Sequence, residues 1–259
     1  QAWHDCGDDD NLRPATMIDT AGNSSAAPDD RVASAPSLDE AFGRLLAGRH
    51  SCRGFRPDPV PQDVILRILD LAQRTASWCN SQPWQVLVAS GAALERFRSA
   101  LLQQVAGSPH DSDFPFPEEY RGVYQQRRRE CGYQLYESVG VARGDREAAA
   151  RQGLENFRLF GAPHVAIITT DQALGVYGAI DCGAYVSNFM LAAQSLGIAS
   201  IAQAALATQS GFIRDYFGIS EDRRLVCGIS FGYEDPAHQA NQFRTSRADL
   251  KEIVTWRDE

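Results

Sequence analysis

The order of apolar and polar residues predicts a chain that is ordered from Ser37 onward and alternates helices with short buried strands. Leu38, Ala41, Phe42, Leu45 and Leu46 recur at helical spacing behind the capping box Ser37-Leu38-Asp39-Glu40, and Gly48 ends that helix. Pro57, Pro59 and Pro61 make an extended connection. Pro61 also suits the first turn of a second helix, with Val64, Ile65, Ile68, Leu69 and Ala72 on its apolar face. That helix fades over 75–80. The short apolar run 85–90 reads as a buried strand, and 92–106 as a third helix carrying Leu94, Phe97, Leu101 and Leu102. Residues 107–118, with Pro109, Pro115 and Pro117, read as a loop. Residues 119–140 and 146–160 read as helices, the second stopped by Gly161-Ala162-Pro163. A second buried strand follows at 164–170. Residues 177–196 are apolar almost all round, which predicts a helix buried on most sides, of the kind that runs along a dimer interface; Gly197 ends it. A strand or loop at 200–206, a short helix at 210–217 and a third strand at 225–233 complete the pattern, so helices outnumber strands by about two to one.

The two ends differ from this body. Residues 1–36 are rich in Asp, Asn, Ala, Ser and Pro and read as a flexible arm. Met17-Ile18-Asp19 reads as a natural start, which would make residues 1–16 vector-derived. The tail from 234 is polar but ends in Leu250, Ile253, Val254 and Trp256, which are expected to cover a body, the chain's own or a partner subunit's. The expected organisation is one domain, 37–259.

Charge narrows the partners. The net charge of −8 argues against nucleic acid or an anionic membrane surface, so any phosphate ligand must meet a local arginine cluster. Six cysteines show no CxxC and no Cys/His spacing suited to zinc, so no metal is expected and the thiols read as reduced, in a cytoplasmic protein. No apolar run approaches the ~18 residues of a membrane span, and no signal pattern opens the chain. GxSxG, HExxH and Walker A motifs are absent, and no Gly-rich turn follows the first strand, so a Rossmann domain is not indicated.

Two stretches carry candidate chemistry. Arg49-His50-Ser51-Cys52-Arg53 puts cations and a hydroxyl just past a helix, where the helix dipole alone would also favour arginine. Cys79-Asn80-Ser81-Gln82-Pro83-Trp84 puts amides and a tryptophan between a helix and a strand. Together they read as a seat for a flat, anionic, hydrogen-bonding ligand. Arg127-Arg128-Arg129 is either a solvated helix face or a contact for the phosphate of a nicotinamide cofactor.

Four segments together resemble the FMN-dependent nitroreductase family: Arg-His-Ser-Cys-Arg-Gly-Phe at 49–55, Ser-Trp-Cys-Asn-Ser-Gln-Pro-Trp at 77–84, Phe-Gly-Ala-Pro-His at 160–164, and Gly-Ile-Ser-Phe-Gly-Tyr with the later Ser-Arg over 228–247. The resemblance implies an α+β fold, a small and mostly antiparallel sheet wrapped by helices. It also implies an intertwined homodimer with two FMN molecules at its interface and C-terminal extensions embracing the other subunit. By the same resemblance Arg49 and Ser51, with His50 beside them, would meet the FMN phosphate and ribityl chain. Arg53 would face the flavin pyrimidine edge. Asn80, Gln82 and nearby Ser77 would line the ring from across the dimer. Arg247, with Arg244 next to it, would bind the phosphate. Backbone N–H groups around Ala202, Gln203 and Ala204 would approach N5 and O4.

The implied activity is ping-pong: NADPH or NADH reduces the flavin at N5, and a nitroaromatic or quinone-like acceptor takes the two electrons. No side chain then need act catalytically, and His50 is expected to be structural. Residues 107–145 correspond to a variable lid. Its Phe114, Phe116, Tyr120 and Tyr124 would either stack on the acceptor or fill the core. The alternatives are an FMN-binding module without turnover, or another flavin reaction such as reductive dehalogenation. Thr75-Ala76-Ser77 and Ile201-Ala202-Gln203 depart from the family pattern, which leaves the substrate-facing wall open.

Overall fold

His164–Asp171, strand β2, is the axis of the fold, because its run His-Val-Ala-Ile-Ile-Thr-Thr is buried on both faces. Alternation sends Val165 and Ile167 to one side and Ala166 and Ile168 to the other. A strand so apolar on both faces needs neighbours along both edges and helices over both sides. The computed structural model, which describes residues 36–258, supplies them. The readings made of residues 1–35, including the arm and the start at Met17, lie outside the described residues.

The sheet has four strands in the order β1-β2-β4-β3: β1 Gln85–Ser90, β2, β3 Ala199–Gln203 and β4 Arg223–Gly232. Every pairing is antiparallel. Helices α2 (Gln62–Ala72) and α6 (Gly175–Ser195) cover one face through Ile68, Ala72, Tyr185, Val186 and Phe189. Trp84 stacks on Tyr185 there at 5.0 Å. Helices α3 (Gly91–Gly107) and α7 (Ser210–Phe217) cover the other face through Leu94, Phe97, Leu101 and Ile213. Helix α1 (Leu38–Gly48) precedes this body, α4 (Gly122–Ser138) and α5 (Arg146–Leu154) stand between the halves of the sequence, and α8 (Leu250–Ile253) is in the tail. The expected α+β architecture with a small antiparallel sheet is what forms. Among the described residues no helix is long and apolar enough to cross a membrane.

Three expectations are corrected. The helix expected over 146–160 stops at Leu154, because Leu159, Phe160 and Gly161 all take positive φ (57°, 52° and 76°), which no α-helix accommodates. The helix expected over 119–140 starts only at Gly122 and has no buried residue. Helix α6 is not buried on most sides within one chain: Val176, Tyr177 and Ile180 are exposed.

The segment before α4 is anchored rather than loose. Asp113 accepts from Arg214, Arg224 and the Leu225 N–H (2.7 Å), and Asp111 accepts from the Gly211 N–H at 2.9 Å. Asp113 is only 4% exposed. Removing one partner of such a buried pair strands the others, so Asp113→Ala is expected to cost about 3 kcal/mol, measured by urea unfolding.

His164 makes the fold pH-sensitive. Its Nε2 accepts from the Val60 N–H (2.8 Å), so that nitrogen must stay unprotonated, and burial pushes the ring below its ordinary value of 6.5. The unfolded chain therefore takes the proton first as pH falls. The stabilisation is complete above about pH 6.5 and is lost as pH drops through the lower folded value, at up to about 1.4 kcal/mol per pH unit. In His164→Gln, which keeps an acceptor, the stability measured from pH 7 to pH 5 should fall less steeply than in the unaltered protein.

Candidate functional site

The first loop reaches its place by backbone pairing along the sheet edge. The Cys52 N–H donates to the Ser200 carbonyl of β3 at 3.2 Å, and the Arg56 N–H to the Tyr233 carbonyl at 2.9 Å. Below it Cys52, Phe55, Phe160, Ala162 and Ile201 form a small apolar seat. The chain after β4 then returns over this loop. The Asp235 N–H donates to the Gly54 carbonyl (3.0 Å), and Glu234 accepts from or faces His50 Nε2 at 3.2 Å. Asn241, 2% exposed, accepts from the Arg53 N–H (2.7 Å) and donates to the carbonyls of Gly54 and Asp235, both at 2.9 Å. His50 Nδ1 lies 3.3 Å from the Gly48 carbonyl on its other side.

This return brings the two ends of the domain together. Arg49, His50, Ser51, Arg53, Arg244 and Arg247 line one cavity of about 330 Å³ with Phe243 and Cys131. Among the described residues no carboxylate pairs with any of its four arginines. The Arg244 and Arg247 guanidinium groups donate only to carbonyls and a hydroxyl of their own segment, such as Thr245 Oγ1 at 2.9 Å. Burial and the like charge of Arg247 lower the Arg49 pKa, and burial lowers that of Arg53. Arg49 and Arg53 are part-buried and Arg244 and Arg247 exposed; cations set side by side disfavour one another unless an anion joins them, and arginine forks suit phosphate oxygens. The donor set and the cavity size fit the phosphate end of FMN.

The second stretch is elsewhere. Asn80 and Gln82 are exposed and Ser77 half-buried, beside α2 and α6 and outside this cavity. Ser77 Oγ accepts from the Gln82 N–H (2.9 Å), and Asp181 of α6 accepts from the Trp78 N–H (3.1 Å). Cys79, Asn80 and Gln82 all have positive φ (50°, 53° and 46°). Asparagine tolerates that region; cysteine and glutamine are strained in it, at about 1 kcal/mol or more each.

At the end of β3, Ala202 and the following Ala204 are exposed, while the Gln203 side chain is fully engaged: Nε2 donates to the Asn156 carbonyl (2.7 Å) and Oε1 accepts from Ser230. Gln203 can therefore serve a ligand only through its backbone. In the segment before and at the start of α4, Phe116, Tyr120 and Tyr124 are exposed and Phe114 half-buried, so core filling does not account for the first three. Arg127 pairs with Glu252 at 3.0 Å, Arg128 lies over the Tyr120 ring at 5.1 Å, and Arg129 is exposed. Asn241, Glu234 and Asp113 were not foreseen. Apart from the Asp235 carbonyl beside Asn241, their partners are backbone groups and side chains more than a hundred residues away, and no local pattern marks them.

The sequence and the fold have close counterparts among known proteins. The family model described as "Nitroreductase family" matches residues 46–233. The chain belongs to the nitroreductase family. It is 39% identical to "Nitroreductase NfnB" of Mycolicibacterium smegmatis, over 85% of this chain and 94% of that protein. It is 31% identical to a "4-nitrobenzoate reductase" of a Nocardioides species, over 91% of this chain and 99% of that protein. The crystal structure of the FMN-dependent nitroreductase NfnB from Mycobacterium smegmatis in complex with NADPH superposes with a TM-score of 0.82 at 38% identity, covering 85% of this chain and all of that one. Within this nitroreductase-family chain the matched span holds the first loop and all four strands but ends before Arg244 and Arg247.

Gly54 shows how tightly the two segments meet, since a Cβ there would overlap the His238 ring and its Cβ. Gly54→Ala is expected to cost about 2 kcal/mol by overpacking, read as a lowered urea midpoint with an unchanged slope.

Proposed function

We propose that this protein is an FMN-dependent NAD(P)H oxidoreductase that reduces nitroaromatic or quinone-like acceptors. One observation carries the reading: four arginines and Ser51 around a single cavity with no neutralising carboxylate among the described residues, in a family whose relatives include an FMN-dependent nitroreductase crystallised with NADPH. Bound FMN supplies the chemistry, accepting a hydride from the nicotinamide and passing two electrons to the acceptor. The protein's part is to hold and orient. Arg49, Arg244 and Arg247 anchor the phosphate, Ser51 and His50 border the sugar-alcohol chain, and Arg53 places a positive charge at the edge where negative charge collects. The exposed backbone at Ala202 and Ala204, with Gln203 between them, offers N–H groups to the ring.

The working form is proposed to be a homodimer. Leu38, Phe42 and Leu46 of α1, Trp78, Val176, Tyr177 and Ile180 beside α6, and Leu250, Ile253 and Trp256 of the tail are all exposed on one chain. Exposed large apolar side chains in this number suit association. The second subunit would then bring Ser77, Asn80 and Gln82 to the cavity that this chain leaves without amides. Phe116, Tyr120 and Tyr124, exposed on the lid, offer faces to an aromatic acceptor. A cytoplasmic location fits the net charge and the reduced cysteines.

The visible spectrum tests this directly. Protein incubated with FMN should be yellow after desalting, bleach under anaerobic NADPH and recover when a nitroaromatic is added; a colourless protein overturns the reading. Arg49→Ala should weaken FMN binding by about 10- to 100-fold, the loss of one charge-assisted bond, measured by flavin fluorescence titration. Arg127, Arg128 and Arg129 are proposed to meet the additional phosphate of NADPH. Their single replacement by Ala should raise the KM for NADPH and leave that for NADH unchanged in steady-state assays.

A further inference from the structure

Asn241 is buried, uncharged and outside the arginine cavity, yet it holds Arg53, which that cavity shares with a second cleft. Arg53 lines both the arginine cavity and a second cleft formed by Val139, Val141, Arg158, Phe160 and His238. Its guanidinium is restrained only weakly: it donates to the Ser51 carbonyl at 3.2 Å and lies 5.9 Å from the Phe243 ring. No carboxylate among the described residues fixes it. Its position is therefore set mainly by its backbone, and the backbone is set by Asn241.

The amide satisfies three groups at once. Oδ1 accepts from the Arg53 N–H, and Nδ2 donates to the carbonyls of Gly54 and Asp235. The bond to Arg53 is the shortest of the three. Gly54 cannot shift toward the tail, because the His238 ring fills that side. The Arg53-Gly54 dipeptide is thus held at its two ends, at the Arg53 N–H and at the Gly54 carbonyl. Asn241 itself is seated by a short 3-10 turn, Gln239–Asn241, whose start is capped by His238 Nδ1 accepting from the Ala240 N–H (3.3 Å).

We propose that Asn241 is a positioning residue for Arg53, and that through it the C-terminal segment sets how strongly the site favours the reduced, anionic form of the flavin over the oxidised form. The inference rests on the FMN reading above. A half-buried cation without a counter-ion stabilises a nearby developing negative charge far more than a solvated one, and the effect depends on distance. Releasing the Arg53 backbone lets the guanidinium relax toward water and away from the ring.

The test compares the ratio of FMN dissociation constants, oxidised over reduced, in the FMN-loaded protein. Anaerobic titration supplies the reduced value, and thermal unfolding runs in parallel. Arg53→Ala should lower the ratio about tenfold, equivalent to a potential about 30 mV more negative for a two-electron couple. Asn241→Ala should lower it in the same direction. In the double variant Asn241→Ala should add nothing further, because its route is already removed. If Arg53→Ala leaves the ratio unchanged, the FMN reading of Arg53 fails and the inference falls with it. If Arg53→Ala changes the ratio but Asn241→Ala lowers only the unfolding temperature, or acts undiminished in the double variant, Asn241 is structural and the inference alone is overturned. Should Asn241→Ala not fold, Asn241→Ser, which keeps a small acceptor, is read by the same ratio and judged by the same outcomes.

Discussion

Like charge held together without a counter-ion is the constraint around which this protein is arranged. Burial and the nearby Arg247 both disfavour the charge of Arg49, and the two arginines border a cavity with Arg53 and Arg244. Such an arrangement cannot arise from side-chain attraction, since the side chains repel. It must be imposed by backbone. The imposition is visible in the pairing of Cys52 with Ser200, Arg56 with Tyr233 and Gly54 with Asp235. Those bonds extend the edge of a sheet whose central strands are already buried, so the entropy of closing a chain segment of nearly two hundred residues is met by folding the core. The final ties then need only local order. The cavity is accordingly a by-product of a stable sheet, held open for an anion that repays the repulsion when it binds.

The same economy explains the exposed apolar residues. A helix such as α1, with Leu38, Phe42 and Leu46 open to solvent, gains nothing by staying ordered on its own chain. Its order makes sense if another surface covers it. The exposed side of α6 and Trp78 lies close to the amides of the second stretch, so covering that side would also place those amides against something outside this chain. Cofactor site and subunit contact are then one surface, and neither would be complete without the other.

What the sequence revealed follows from how far each signal reaches. Strand β1 appears at the expected residues because its apolar run is uninterrupted and bounded by polar residues, and helix α7 because Phe212, Ile213, Tyr216 and Phe217 recur at helical spacing. Strand β4 starts two residues earlier than expected. Its Arg223 and Arg224 read as polar, but Arg223 is buried against the carbonyls of Pro83 and Thr169, and Arg224 pairs with Asp113. Helix α5 ends early because Leu159 and Phe160 adopt left-handed conformations that their side chains give no hint of. The arginines of the first loop were legible because cation, hydroxyl and cation stand together. Asn241 was not, because an asparagine in a polar tail looks like any turn residue until its partners, at positions 53, 54 and 235, are known. Periodicity also marked α6 as apolar without saying whether its own chain or another would cover it.

The reactive-looking side chains of the first loop turn out to be engaged in holding rather than reacting. His50 is tied between the Gly48 carbonyl and Glu234. Cys52 donates its S–H to the Gly54 carbonyl, and burial pushes its pKa up to about 12. Only a thiolate is an effective nucleophile or redox partner, so Cys52 is inert at neutral pH. Cys182 and Cys227, raised to about 11 and about 12 by burial, are equally so. Among the groups nearest the cavity what remains is positive charge, a hydroxyl and backbone N–H groups. Those can bind and orient an anionic cofactor, and the buried Cys52 thiol beneath them supplies no thiolate to compete. The absence of a nucleophile–base pair in this loop is therefore what a site needs when the cofactor does the chemistry.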